Sequence, residues 1–343
     1  MDIPIENIYY LLCYAFNKLE EGNLVDLDAK DEWKLQDLFA SVLVSGVRYL
    51  LRRGIDRGYI PEESEGRVLK GRLQISECIK KGSLENGKVF CTYDTFNENV
   101  LHNRILKTTI CRLIRISSLN EDLRASLKSL MRPLAGISEM PVDKSIFHKV
   151  QLNSNNSFYK FLMNICEIIH DNIIVNEEDG RVRFRDFTRD EMQMASLFEE
   201  FVRNFYKLEQ NRYYVSREYI EWDIAAIDDT SYHGLPRMQT DISLENGQKK
   251  IIIDTKFYKD IFQRHYDSEN LRQAHLSQLF TYVKQIERKG GVNENCEGYL
   301  LYPSVDRPYK KEFITQGHKL KVLTINLNQG WKNVHNDLIA ILD

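Results

Sequence analysis

Three residues in one stretch of this 343-residue chain combine types and spacing that could do chemistry: Asp241, Asp254 and Lys256. They lie in PRMQTDISLENGQKKIIIDTKFY, residues 236–258, where two β-type runs flank Asn246-Gly247. Two converging carboxylates can hold a divalent cation, and such a cation activates water and stabilises charge on a phosphoryl oxygen. A lysine beside them can orient the water and offset the charge of the phosphate. A plainer reading is open as well. Ile251, Ile252 and Ile253 suit a strand buried on both sides, and a carboxylate at the end of such a strand must be paired or bound to metal. Lys256 alone could satisfy Asp254, as an ion pair at the mouth of a structural hairpin.

The turn predicts how the three side chains meet. Asn-Gly favours a two-residue type I′ loop, because both central positions need positive φ. Glu245 then faces Gln248, and Asp241 lies opposite Ile252. Opposed residues share a face, as do residues two apart on a strand. Asp241, Asp254 and Lys256 therefore point the same way, with the carboxylates as diagonal neighbours roughly 7–8 Å apart at Cα. A three-residue loop would reverse this parity. Arg237 shares the face of Asp241, where it contacts phosphate or pairs with an acid. An acid two residues before a lysine also occurs at Asp28–Lys30, Glu32–Lys34 and Glu287–Lys289, but only Asp254 follows an apolar strand with a second carboxylate across a hairpin.

The elements that must position this hairpin follow from periodicity and turn chemistry. Thr188 and Glu191 read as a capping box, and Met194, Phe198, Phe201, Val202 and Phe205 give the next helix a buried face. A strand over 213–222, the hairpin, a helix over 271–286, strands over 298–302 and 319–327 and a helix over 331–342 complete an α-β-β-β-α-β order with additions. That order predicts an α/β (α+β overall) class, a mixed sheet flanked by helices. Upstream, helical spacing marks 5–19 and 31–53, the latter stopped by Gly54, and further helices over 99–116, 121–134 and 157–174. Residues 55–97 are β-rich, with strands expected at 67–75 and 88–96. Arg67, Lys70, Arg72, Lys80 and Lys81 line that region, either as a solvated hairpin face or on a projecting element that contacts nucleic acid or a partner's phosphates. The polar run at 153–156 predicts a boundary between an N-terminal helical domain, 1–152, with its β-rich insertion at about 55–97, and a C-terminal domain, 153–343.

Composition narrows the function classes. A free-standing DNA binder usually carries excess positive charge, since phosphate contacts supply much of its affinity. This chain has a net charge of −3, so its cations are focused in one cleft or a partner delivers the nucleic acid. No G-x-x-x-x-G-K-[ST] phosphate loop is present, so any nucleotide energy comes from another chain. The six cysteines are scattered without a C-x-x-C pair, and the eight histidines lack metal-ligand spacing. They predict buried thiols in a reducing compartment. Without a signal peptide or a bilayer-length apolar run, the expected protein is soluble and cytoplasmic, with no membrane association.

The element order, with Asp on the second core strand and Asp-x-Lys on the third, resembles the PD-(D/E)xK nuclease core. The blocks IPIENIYYLLCYAF, TYDTFNEN, LPRMQTDI, IIIDTKFYK and SQLFTYV, in that order over essentially the whole chain, resemble the McrC family, the nuclease subunits of McrBC modification-dependent restriction systems. The resemblance implies a Mg2+-dependent endonuclease that cuts double-stranded DNA bearing methylated cytosine. It also implies a partner, McrB, a hexameric AAA+ ring that binds the GTP and reads the modified site. The N-terminal half would insert into the ring and stimulate GTP hydrolysis, with Arg67, Lys70 and Arg72 as candidate contacts. Asp241, Asp254 and the Thr255 carbonyl would hold Mg2+, while Lys256 would orient or help deprotonate the attacking water. A glutamate of the first core helix often joins such a site. Glu199, at the edge of the buried face beside Ala195, Val202 and Tyr206, and Glu200 are the candidates, with a solvated role open for either. Gln278 and Tyr282, one helical turn apart, stand where relatives place a polar residue near the lysine; Gln278 is the catalytic candidate and Tyr282 the packing one. One departure is that Thr240, not proline, precedes Asp241. Two other functions stay open: a non-catalytic activator of a ring GTPase, and a PD-(D/E)xK nuclease of DNA repair.

Overall fold

Two helices open the chain, α1 (Ile5–Ala15) and α2 (Leu35–Arg53). In α2, Leu35, Leu38, Phe39, Val42, Leu43, Val47 and Leu50 recur every three or four residues, which gathers them into one buried stripe. Gly54, at φ +93°, ends the helix as expected. The computed structural model describes residues 3–16, 33–153, 156, 158–175, 182–222, 237–258, 262–265, 268–304 and 308–343. The chain forms two compact units, one of Met1–Asn23 with Asp186–Asp343 and one of Leu24–Arg185.

The Leu24–Arg185 unit contains α2, β1 (Gly58–Gly66), β2 (Arg72–Leu73), α3 (Ile75–Lys80) and β3 (Val89–Asn97). It continues with α4 (Leu101–Ile114), α5 (Glu121–Leu130), α6 (Lys144–His148), α7 (Phe158–Asn172), β4 (Ile173–Val175) and β5 (Val182–Phe184). The β-rich insertion is a three-stranded antiparallel sheet in the order β1-β3-β2. Its long first strand covers residues read as loop, while most of 67–75 lies outside strands. Pro61 misled that reading. β1 pairs on one side only, so a residue without an N–H can sit in it at no cost to a second ladder.

The other unit takes α1, α8 (Glu191–Glu209), β6 (Tyr214–Ser216), β7 (Tyr219–Ile220), β8 (Met238–Gln239), β9 (Ile242–Glu245) and β10 (Lys250–Thr255). Then come β11 (Phe262–His265), β12 (Ser268–Leu271), α9 (Gln273–Glu287), β13 (Glu297–Ser304), β14 (Lys310–Thr315), β15 (His318–Asn326) and α10 (Trp331–Ala340). Six strands form a mixed sheet in the order β14-β15-β13-β10-β9-β6. β13 runs parallel to β10 and β15, and the other pairs are antiparallel.

Three expectations change in detail. The helix α8 is capped by Asp190, whose Oδ1 accepts from the N–H groups of Met192 and Gln193 at 3.1 Å, while Thr188 belongs to a preceding 3-10 turn. The strand expected over 213–222 is two strands, because the backbone turns at Arg217-Glu218 and β7 pairs with β8 outside the main sheet. The unit division falls at Arg185, not near residue 152, and α1 joins the later unit. Specific bonds explain the last point. Asn7 Nδ2 donates to the carbonyls of Leu327 and Gln329, both at 2.8 Å, and the Tyr14 hydroxyl donates to Glu209 at 2.8 Å.

On one face of the sheet Ile252, Leu300, Leu320 and Val322 pack with Leu279, Tyr282, Val283 and Ile286 of α9. Gly298 permits that approach. A Cβ there would meet Leu320 at 2.8 Å and Leu279 and Val283 at 3.0 Å. The six cysteines are free thiols. Among the described residues no helix is long and apolar enough to cross a membrane.

Candidate active site

The β9–β10 hairpin closes through four residues, not two. Glu245 pairs with Lys250, and Ile242 with Ile253. Asn246 lacks the positive φ that a type I′ turn requires, and only Gly247, at +79°, takes it. The Asn246 side chain has another use: its Oδ1 accepts from the N–H groups of Gln248 at 3.1 Å and Lys249 at 2.8 Å. Two added loop residues shift the register by two and leave the parity intact. Continued past Ile242–Ile253, the register sets Asp241 across from Asp254 itself, closer than the diagonal placement expected.

The two carboxylates are held differently. Asp241 Oδ2 accepts from the Thr255 N–H at 2.8 Å and from Thr255 Oγ1 at 3.0 Å, standing in for a backbone acceptor where β9 has ended. Asp254 is 1% exposed, and its Oδ2 lies 2.8 Å from Lys256 Nζ. Both of its oxygens are buried with no hydrogen-bond partner among the described residues, and Oδ2 has the Lys256 ion pair alone. Burial, and then the charge of Asp241, push the Asp254 carboxyl up to about 7 against the pull of Lys256. For Lys256, burial works downward, but Asp254, Asp241 and Tyr282 outweigh it and hold its pKa above the ordinary lysine value. Lys256 is therefore a cation at neutral pH.

A cavity of about 410 Å³ opens at this end of the sheet, with Glu199, Asp241, Thr255, Lys256, Phe257 and Tyr258 in its lining. Glu199 is engaged by Arg203 and Arg217, and Glu200 pairs with the same two arginines. Both glutamates thus have cationic partners, and Glu199 alone of the two borders the cavity. Gln278 donates to the Tyr282 hydroxyl at 2.7 Å. Tyr282 is raised in pKa by burial, with further contributions from Asp254 and Asp241, so this pair lies within the field of the carboxylates. Arg237 is exposed, and Pro236 and Leu235 lie outside the described residues.

The metal that the carboxylates suggest can be tested against the donor set. Among the described residues no group of three or more His, Cys, Asp or Glu side chains is placed to hold an ion. Mg2+ does not require one, since it is commonly held by one or two carboxylates with water and substrate phosphate completing the shell. A buried carboxylate without a hydrogen-bond partner among the described residues, across from a second carboxylate that lines a cavity, fits such an ion.

In the other unit, Arg67 and Lys70 sit in the loop between β1 and β2, and Arg72 on β2; all three are exposed. Lys70 Nζ stands 5.7 Å from the centre of the Tyr93 ring. The exposed apolar residues here, Val68, Leu69, Ile75 and Ile79, each at least 60% exposed, escaped the charge-based reading of this region. Their signal was present as aliphatic residues beside Gly66 and Gly71, with no alternation to bury them. Also missed was Thr255 Oγ1 as the hydroxyl that holds Asp241, for which a single Thr carries no sequence signal.

Residues 7–303 match the family described as McrBC 5-methylcytosine restriction system component. The chain is 36% identical over 341 residues to the type IV methyl-directed restriction enzyme EcoKMcrBC of Escherichia coli (strain K12), covering 99% of this chain and 97% of the relative. Among solved structures it resembles a chain of the half-complex from a tetradecameric assembly of Thermococcus gammatolerans McrB AAA+ hexamers with bound McrC. That match has a TM-score of 0.52 and 16% identity, over 97% of this chain and 76% of the other. At that identity the likeness concerns the fold. A chain of the Thermococcus gammatolerans McrBC complex also matches, with a TM-score of 0.41 and 20% identity over 60% of this chain and 58% of the other.

Proposed function

The chain belongs to the McrBC 5-methylcytosine restriction system component family, and from that premise we propose that it is the Mg2+-dependent endonuclease subunit of such a system. It cuts DNA carrying modified cytosine in company with a hexameric AAA+ GTPase. The observation that carries this reading is the meeting of Asp241 and Asp254 at the open end of a hairpin, with Lys256 on Asp254 at 2.8 Å. The PD-(D/E)xK core accounts for why these residues occupy adjacent strands of a mixed sheet.

Asp241, Asp254 and the Thr255 carbonyl would hold Mg2+, which supplies a Lewis acid for the phosphoryl oxygen and lowers the pKa of bound water. Thr255 holds one oxygen of Asp241 in place through its N–H and hydroxyl. Asp254 binds a cation only as the carboxylate, so it must give up the proton that burial favours. Lys256 stays protonated, which assigns it to orienting water and neutralising phosphate charge, and not to taking the proton. Arg203 and Arg217 both meet Glu199 at Oε1, so those arginines set where its carboxylate stands.

The partner follows from the missing phosphate loop and from the similar structure of McrB hexamers with bound McrC. Val68, Leu69, Ile75 and Ile79, flanked by Arg67, Lys70 and Arg72, form the surface offered to the ring. The decisive assay is cleavage of methylated and unmethylated duplexes with and without the neighbouring ring protein and GTP. Asp254→Ala is expected to abolish cutting and preserve GTPase stimulation. Cleavage by that variant at the parent rate would remove the site assignment.

A further inference from the structure

We propose that Arg272, held over the ring of Tyr258, is a second anion subsite that grips a backbone phosphate of the strand being cut, beside the one handled by Asp241, Asp254 and Lys256. The proposal rests on the nuclease reading and extends it to a residue outside the hairpin. Arg272 precedes α9 as its N-cap residue and is half-buried. Its guanidinium carbon lies 4.5 Å from the centre of the Tyr258 ring. Among the described residues its Nε is buried without a hydrogen-bond partner and its guanidinium makes no ion pair.

Those facts are unusual together. Elsewhere in this unit the buried Arg203 and the exposed Arg217 are both paired, meeting Glu199 and Glu200. A buried N–H without an acceptor is unfavourable until an acceptor arrives. The contact with the Tyr258 ring supplies no in-plane acceptor, so the N–H groups of the guanidinium can take the paired oxygens of a phosphate. Tyr258 is itself braced. Its ring lies 5.1 Å from that of His275, whose Nδ1 is 2.9 Å from the Tyr302 hydroxyl.

Location points to the same ligand. Tyr258 lines the cavity with Asp241 and Lys256. Burial, then Lys256 and Arg272, press His275 down to about 4, so His275 is neutral at physiological pH and adds no charge. Arg272 and Asp254 also act in opposite directions on Tyr302, so both lie within electrostatic reach of that hydroxyl.

The test is a fluorescence-anisotropy titration of a short labelled DNA duplex with the full-length chain, in Ca2+ to prevent cutting, over a series of salt concentrations. Arg272→Met keeps the stem without the charge. It is expected to weaken binding about tenfold and to lower the slope of log K against log salt by about 1, with an unchanged melting temperature. Arg272→Lys keeps the charge without the fork, and is expected to retain the slope and lose affinity several-fold. Arg272→Met that binds with the parent's affinity and slope overturns the proposal, as does a parent chain that binds no DNA. If the Met variant does not fold, the Lys variant decides: unchanged affinity overturns the proposal, and weaker binding supports it. The nuclease reading is judged apart. Cutting by Asp254→Ala removes it whatever the titrations give, whereas an inactive Asp254→Ala with normal binding by Arg272→Met removes only this subsite.

Discussion

Replacing Asp254 with asparagine should make the metal-free protein more stable at pH 8 while removing a ligand of the proposed metal site. The carboxyl is 1% exposed and is pushed up to about 7 by burial and the charge of Asp241, from an ordinary 3.8. A folded-state pKa raised above the unfolded one means that the native state holds a proton the unfolded chain releases. The stability this contributes is complete below about pH 4, falls as pH rises and is gone above about 7. At about 1.4 kcal/mol per pH unit, the ceiling is about 4 kcal/mol. Asparagine cannot ionise and so lacks this pH-dependent loss. The pairing with Lys256 at 2.8 Å is already contained in that value, so the variant's stability relative to the parent should rise by up to about 4 kcal/mol between about pH 4 and about pH 8. The assay is thermal unfolding of parent and Asp254→Asn in EDTA from pH 4.5 to 8.5, followed by the same series with Mg2+. Without metal, the difference should grow up to about pH 7 and then level off. With Mg2+ the parent alone should gain stability, and more so at higher pH, because binding displaces the proton. A metal-free difference that does not change with pH, or Mg2+ stabilisation of the variant equal to that of the parent, would refute the argument.

Three further outcomes are expected. Thr255→Val removes the hydroxyl bond to Asp241 but keeps the N–H one; a bond to a charged group is worth about 1.5–3 kcal/mol, so Mg2+-dependent cleavage should fall roughly tenfold or more without a change in far-UV circular dichroism, and parent-like cleavage would release Thr255 from this role. Gly298→Val puts a Cβ against Leu320, Leu279 and Val283 at 2.8–3.0 Å, an overpacking cost of about 1–3 kcal/mol that should appear as a lower melting temperature, whereas an unchanged one would show that α9 can shift. Charge reversal at Arg67, Lys70 and Arg72 together should weaken stimulation of the partner's GTPase while the melting temperature holds, and equal GTPase rates for variant and parent would separate this surface from the ring.

How much of this was legible in the sequence depends on whether the determining contacts are local. Helices α2 and α8 were, because Leu35 to Leu50 and Met194 to Phe205 repeat at helical spacing wherever the chain folds. The allegiance of α1 was not: an apolar stripe states that it must be covered, and long-range contacts such as Asn7 reaching the Leu327 carbonyl 320 residues away name what covers it. The site lies between these cases. Asp241 and Asp254 were placed on one face by counting, and the count survived a wrong loop length because two and four residues share parity. It would have failed for three. What counting could not supply is why Asn246 gives up the I′ turn, since Asn also binds neighbouring N–H groups and the balance is set by the pairing beyond the loop. Nor could it distinguish Asp254 as the partner of Lys256 from Asp254 as a metal ligand. That choice turns on the second oxygen. The ion pair at 2.8 Å reaches Oδ2, and neither oxygen has a hydrogen-bond partner among the described residues, which leaves Oδ1 to the cation of the proposed site.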